Sequence, residues 1–323
     1  MGKRIIVVHG RAAKPKQNEK YRLVYKALSH GLSRYSDEVA QMVISKVVPI
    51  ELVYFGDVTN ALIWASHQRP QKKIVTDFLT QWDYSYEQNG RYDAAMESLF
   101  DIKQQSSDAY SHLKFQLNHF SSASDSIGFI SHIVNLLGVN DEIINSIMPD
   151  LGAYFKYRII GSLIRYRLQE LLVPALHKGD DICIISHSLG CVVAYDVLWK
   201  LSRMSEYNAL HDKKINLFIT VGSPLGEPAV AKQLYDVHEP EDGRYPRNIS
   251  EWHNFSAADD FVSRDIRHAD CFYPMYQRQL VDLIQDHIVY NFWVGEHGLN
   301  PHKFYGYLDN LSVTRIIAEW LMH

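Results

Sequence analysis

Cysteine is scarce in this chain: Cys183, Cys191 and Cys271 are the three in 323 residues, and no two form a CxxC pair. So odd and scattered a set supports neither a disulfide scaffold nor a structural zinc site, and it points to a reducing compartment, the cytoplasm. Long apolar runs are missing as well. Nowhere do roughly 18 uncharged apolar residues follow one another, so no transmembrane helix is expected. In the opening MGKRIIVVHGR the apolar run spans only Ile5 to Val8, about half of what a secretory signal needs. Ile6 also stands where a myristoylation signal would carry Ser or Thr. A basic excess is lacking: 33 Lys plus Arg face 37 Asp plus Glu, for a formal charge of −4. That balance argues against nucleic acid as a partner. With no HExxH and no Gly-rich phosphate loop, neither a metal nor a nucleotide cofactor is expected.

What the chain does have is apolar content, 46% against 22% charged, enough for a sizeable globular core. Short apolar runs at residues 5–9, 47–55, 181–186, 215–221, 249–256 and 288–294 alternate with amphipathic stretches such as 19–32 and 189–204. This alternation predicts a single α/β domain over 1–323, a mostly parallel sheet of about six strands with helices on both faces. Residues 59–154 break the rhythm. They contain helix-like segments and no convincing strand, and 127–148 is amphipathic and rather apolar. This stretch reads as a large helical insertion between strands, either extra scaffold or a lid with an acyl pocket.

The most informative stretch is DICIISHSLGCVVAYDVLWK, residues 181–200. An apolar strand runs into Ser186-His187-Ser188-Leu189-Gly190, and an amphipathic helix follows without a spacer. A sharp strand–turn–helix exposes the Ser188 hydroxyl and aims the helix N-terminus at a reacting carbonyl. The plainer alternative makes Ser188 an unreactive helix cap.

The segment resembles the nucleophile elbow of the α/β-hydrolase superfamily, usually GxSxG, with Ser186 in place of the first glycine. The resemblance extends over most of the chain outside the insertion. Residues 5–10 (IIVVHG) resemble the strand whose following loop supplies one oxyanion donor. The resemblance therefore implies backbone donors at Leu189 and at Gly10 or Arg11, with His9 a structural member of the loop. It also implies a compact sheet lacking the family's first two strands. Residues 222–226 (GSPLG) resemble a turn beside the site in lipase-like members, so Ser223 is a poor alternative nucleophile. Residues 252–262 (WHNFSAADDFV) match the family's W-x-N then D-x-V pattern through Trp252, Asn254, Asp260 and Val262. On that register Asp260, rather than Asp259, is the triad acid.

For the base, His297 and His302 both follow the last predicted strand. His302, followed by Phe304, Tyr305 and Tyr307 and then a helix, better resembles the family's His–aromatic–helix ending; His297 is the alternative. His253 and His287 read as structural or exposed. The implied activity is esterase- or lipase-like cleavage of carboxylic esters of a small-molecule or lipid-like substrate through Ser188, His302 and Asp260. Thioester or amide cleavage would use the same residues. A hydrolase fold kept as a non-catalytic binding module is the reading from another class.

Overall fold

The computed structural model describes residues 2–68, 91–120, 149–241, 243–263, 267–296 and 298–323. Among the described residues six strands form the central sheet: β1 (Lys3–Val8), β2 (Ile50–Val53), β3 (Asp181–His187), β4 (Ile215–Val221), β5 (Ile249–Ala257) and β6 (Leu283–Val289). They pair in parallel throughout, in the order β2-β1-β3-β4-β5-β6. Around them lie α1 (Gln17–Ser33), α2 (Asp37–Ile44), α3 (Gly56–Gln68), α4 (Arg91–Phe100), α5 (Ser107–Phe120) and α6 (Pro149–Lys156). Then follow α7 (Arg158–Lys178), α8 (Leu189–Arg203), α9 (Phe304–Leu308) and α10 (Leu311–Met322).

The sheet divides the apolar interior into two cores, and β1 shows why its residues are apolar without interruption. Successive strand side chains point to opposite faces. Ile5 and Val7 pack with Leu23, Leu28, Val313 and Ile317 of α1 and α10, whereas Ile6 and Val8 pack with Leu168, Leu172, Val192 and Leu198 of α7 and α8. A strand covered on both faces has no polar side. Each of these fully buried side chains contributes roughly 1.5–3 kcal/mol.

Two predicted strands are corrected. Of residues 47–55 only Ile50–Val53 pairs. Val47 is 72% exposed, and Val48 is drawn back by its N–H to Met42 O, so the apolar run begins as a turn. The last strand of the central sheet is Leu283–Val289, not 288–294, and Val294–Gly295 pairs instead with Gly298–Leu299 in a separate short antiparallel ladder. As an edge strand it is half exposed and carries Gln285, Asp286 and His287, which hides it from an apolar search. His287 is therefore inside the strand, not before it. The apolar Phe292 and Trp293 are instead a buried loop.

Within 59–154, the described residues hold helices and no strand. Met96, Leu99 and Tyr110 extend the α1 side of the core, and Leu151 and Tyr154 extend the α7 side. The predicted apolar segment 127–148 lies outside the described residues. No helix among the described residues is long and apolar enough to cross a membrane.

Among the described residues five histidines are held neutral in the fold. Burial drives His9 and His187 well below the ordinary histidine value, with Lys14 and Lys20 adding to it at His9 and His302 at His187. Burial also lowers His253, His268 and His287 to about 4. Between about pH 6.5 and 4 the unfolded chain binds protons that these histidines refuse, so their contribution to stability falls as pH falls through that window. Asp196, which burial raises to about 6, opposes this in part. Each histidine contributes at most ~1.4 kcal/mol per pH unit. Urea midpoints taken at pH 7.5, 6, 5 and 4 should decline steadily; a flat profile from 6.5 to 4.5 refutes the neutral histidines.

Candidate active site

The strand order reverses about β1: the chain goes from β1 to β2 on one side and returns to β3 on the other. Connections diverge there beyond the carboxyl ends of β1 and β3, the place where open parallel sheets form ligand crevices. The loop carrying Gly10 and Arg11 leaves β1 at this point, and Ser188 leaves β3.

Ser188 has φ 53° and ψ −124°, a conformation an L side chain seldom adopts and one that costs ~1–3 kcal/mol. Neighbours impose it. Its N–H donates to Val221 O at 3.2 Å, and its own carbonyl accepts from Cys191 N at 2.9 Å. A capping serine has extended backbone and bonds the first-turn N–H groups; the Ser188 hydroxyl makes no such bond. Leu189 opens α8, so its N–H belongs to the first helical turn, which has no intrahelical acceptors.

Close packing explains the small residues around it. A Cβ on Gly190 would lie 2.6 Å from the carbonyl oxygens of both Val8 and His9, so the start of α8 rests directly on the end of β1. A Cβ on Gly10 would stand 2.5 Å from His187 Nδ1 and 2.8 Å from Ser188 Cβ, placing the loop after β1 against the serine. Ser186 is fully buried and donates to Ile219 O at 3.2 Å, a bond that glycine would leave unmade.

The loop after β1 is fixed from two sides. His9 accepts the Phe55 N–H at Nε2 (3.0 Å) and donates from Nδ1 to Gly10 O (2.8 Å), which requires a neutral ring and commits both nitrogens to backbone groups. Asp150, fully buried, accepts from Arg11 Nε at 3.2 Å, Ala12 N at 2.7 Å and Leu151 N at 3.1 Å. Burial opposes its charge, but Arg11 and the Ala12 N–H outweigh this and hold its carboxyl below the usual range. The Arg11 side chain is thus bonded to Asp150.

Asp260 and His302 meet from the loops beyond β5 and β6. His302 Nδ1 donates to Asp260 Oδ2 at 2.9 Å, leaving Nε2 as the acceptor nitrogen, with no hydrogen-bond partner among the described residues. The same Oδ2 accepts from Tyr307 OH at 2.6 Å and Ser263 Oγ at 3.1 Å, while Oδ1 accepts Val262 N at 3.0 Å. Burial alone would raise Asp260, yet His302 and these donors hold it below the ordinary carboxylate value. It therefore stays ionised and fixes the imidazole. His302 is the accessible member, with 25% of its side chain exposed against 2% of Ser188.

Ser188 and His302 flank one turn. Val221 O receives the Ser188 N–H, and a Cβ on the next residue, Gly222, would lie 3.0 Å from both His302 Nδ1 and Asp260 Oδ2. His187, adjacent to the serine, donates from Nε2 to His302 O at 2.8 Å, and the two rings are 4.7 Å apart. Among the described residues no hydrogen bond joins Ser188 Oγ to His302 Nε2. Such bonds are commonly long without substrate and tighten when it binds.

All six predicted site residues, Ser188, Asp260, His302, Leu189, Gly10 and Arg11, thus gather at one end of the sheet. Asp259 pairs instead with Lys114 at 2.7 Å, as a half-buried loop carboxylate. Ser223 is fully buried in its turn and bonded to His268 Nε2 at 2.9 Å. His253 and His287 bond each other at 2.9 Å across β5 and β6. Trp252 and Asn254 serve the sheet: both bond Thr220 Oγ1 from β5, at 3.0 and 2.9 Å. His297 lies outside the described residues. Sequence reasoning missed Asp150, His187 and Asn291. Asn291 donates to both Pro301 O and Lys303 O at 2.8 Å, bracketing His302. Only His187, inside the serine motif, carried a sequence signal.

No family model, curated protein or solved structure matches this chain.

Proposed function

We propose that the protein is a serine hydrolase of α/β-hydrolase type that cleaves carboxylic esters. One observation carries the reading: a serine in strained backbone, its hydroxyl not used for capping, sits at the crevice of a parallel sheet beside a histidine anchored to a buried, ionised aspartate. In this mechanism His302 Nε2 takes the Ser188 proton as Oγ bonds to the ester carbonyl carbon. The N–H groups of Leu189 and of Gly10 or Arg11 hold the oxyanion. Collapse breaks the carbon–oxygen bond, and His302 returns the proton to the leaving alcohol. Water, deprotonated by the same nitrogen, then releases the acid from Ser188. Asp260 stays charged throughout and stabilises the imidazolium.

Fluorophosphonate labelling tests this directly. Intact-mass and peptide analysis should place one phosphonyl group on Ser188, and Ser188→Ala should take up none. A wild-type protein that stays unlabelled at Ser188 would favour the non-catalytic binding module.

A further inference from the structure

Lys14, Lys20 and Lys303 converge beside the loops that carry Arg11 and His302. Lys20 Nζ and Lys303 Nζ both lie over the ring of Tyr305, at 4.2 and 5.7 Å. Lys20 donates to the Tyr305 hydroxyl at 3.0 Å. Lys14 Nζ donates to the carbonyl oxygens of Arg11 and Ala12, on the oxyanion loop itself. Lys303 follows the proposed base directly in sequence, and its ammonium donates no hydrogen bond among the described residues. It faces the rings of Tyr92 and Trp293, at 4.7 and 5.7 Å.

Three recessed cations with no carboxylate within salt-bridge distance among the described residues form an unbalanced arrangement. Buried charges are ordinarily paired, because taking a cation out of water costs more than rings and carbonyls return. The acid that acts on Lys14 is Asp150, which already serves Arg11 and two backbone N–H groups. The strain shows in the ammonium groups. Burial, then repulsion from Lys303, brings Lys14 to about 7, and burial brings Lys303 to about 8. Lys20 is lowered by burial and by both of the others. An anion set among the three supplies the missing counter-charge and keeps all of them protonated. Lysine suits this role as a compact point charge with several donors.

We propose that Lys14, Lys20 and Lys303 form a subsite for an anionic group, a carboxylate or a phosphate, carried by the ester substrate close to its scissile carbonyl. The proposal rests on the hydrolase reading for the word substrate, but the anion site itself does not.

The test has a kinetic and a calorimetric arm. In the first, 4-nitrophenyl butyrate, 4-nitrophenyl hemiglutarate and 4-nitrophenyl 3-phosphonopropanoate are compared on the wild type, Lys303→Met, Lys303→Arg and Lys14→Met. Wild-type kcat/KM should favour at least one anionic ester over butyrate by about tenfold or more, as expected for a close charge pair in a recess. The arm that responds tells carboxylate from phosphate. Both Met variants should bring that ratio down by roughly tenfold, whereas Lys303→Arg should keep most of it. A merely structural defect would slow neutral and anionic esters alike and leave the ratio intact. In the second arm, calorimetry with free glutarate and with inorganic phosphate needs no turnover, and Lys303→Met should bind about tenfold more weakly.

Turnover with no anionic preference and no binding of either ion overturns the anion site and leaves the hydrolase reading standing. A ratio unchanged in both Met variants also overturns it. Lysine-dependent binding without turnover of any ester upholds the anion site and sinks the hydrolase reading. Should Lys303→Met fail to fold, Lys14→Met and wild-type calorimetry decide the matter.

Discussion

Replacing Ser188 by alanine is expected to remove ester hydrolysis, by about a millionfold in kcat, and to leave the unfolding temperature where it was. The loss is large because, in the proposed mechanism, the nucleophile and its base act as one unit. Without Oγ there is no acyl-enzyme, and only the oxyanion donors and binding remain. Stability should hold because alanine carries the same Cβ at φ 53°, so the backbone strain is unchanged, and the hydroxyl makes no capping bond that is lost. Ser188→Gly separates the two effects. Glycine enters that region freely, so this variant should be equally inactive yet more stable by about 1 kcal/mol. Stopped assays on purified protein, run beside thermal unfolding, check both halves. Retention of more than a few per cent of activity in Ser188→Ala would remove Ser188 from the mechanism.

How much of this was legible in the sequence depended on how far each residue's partner lay along the chain. The elbow was readable because everything that makes it is local: an apolar strand, small residues on either side of Ser188, and a helix at once. Four of the six strands were nearly in place because burial on both faces leaves an uninterrupted apolar signature. The edge strand β6 failed that test. Asp286 is tolerated there because Asn254 Nδ2 and the N–H groups of His268 and Ala269 satisfy it, at 2.8 to 2.9 Å. The apolar residues just after it deceived for the opposite reason. Phe292 and Trp293 are buried as a loop, with Trp293 N tied to Asn291 Oδ1 at 3.1 Å, so apolarity there signals depth, not a strand.

The residues that hold the site were the hardest to read. Asp150 reaches Arg11 across 139 positions, and His187 reaches the His302 carbonyl across 115. A single sequence carries no mark of such pairings. Each is a buried polar group whose meaning lies in what it satisfies. The same holds for Tyr307, visible only as one of several aromatics. Its hydroxyl donates to Asp260 at 2.6 Å and accepts the Ala257 N–H at 2.9 Å, tying the acid to the end of β5.

His302→Ala should match the loss in Ser188→Ala, and the double variant should lose little more, because groups that move one proton together are strongly non-additive. His297→Ala should cost far less, about 1 kcal/mol or a fewfold in rate, as for one hydrogen bond or loop contact. The distinction follows from anchoring. His302 is bracketed by Asn291 at Pro301 O and Lys303 O, bonded through its carbonyl to His187, and tied by Nδ1 to Asp260. A base has to be held within hydrogen-bond reach of the serine oxygen. Asp260→Asn should fall between, at about 10⁴ in kcat, since an amide can offer Nδ1–H the wrong partner and favour the wrong tautomer. It should also destabilise the fold by roughly 1–3 kcal/mol. Both Asp260 oxygens receive donors, three on Oδ2 and the Val262 N–H on Oδ1, so either orientation of the amide sets an NH₂ against a donor. Activity and urea midpoints measured on the five variants, Ser188→Ala among them, separate these effects. A dead His297→Ala beside a working His302→Ala would transfer the base to His297 while leaving Ser188 as the nucleophile.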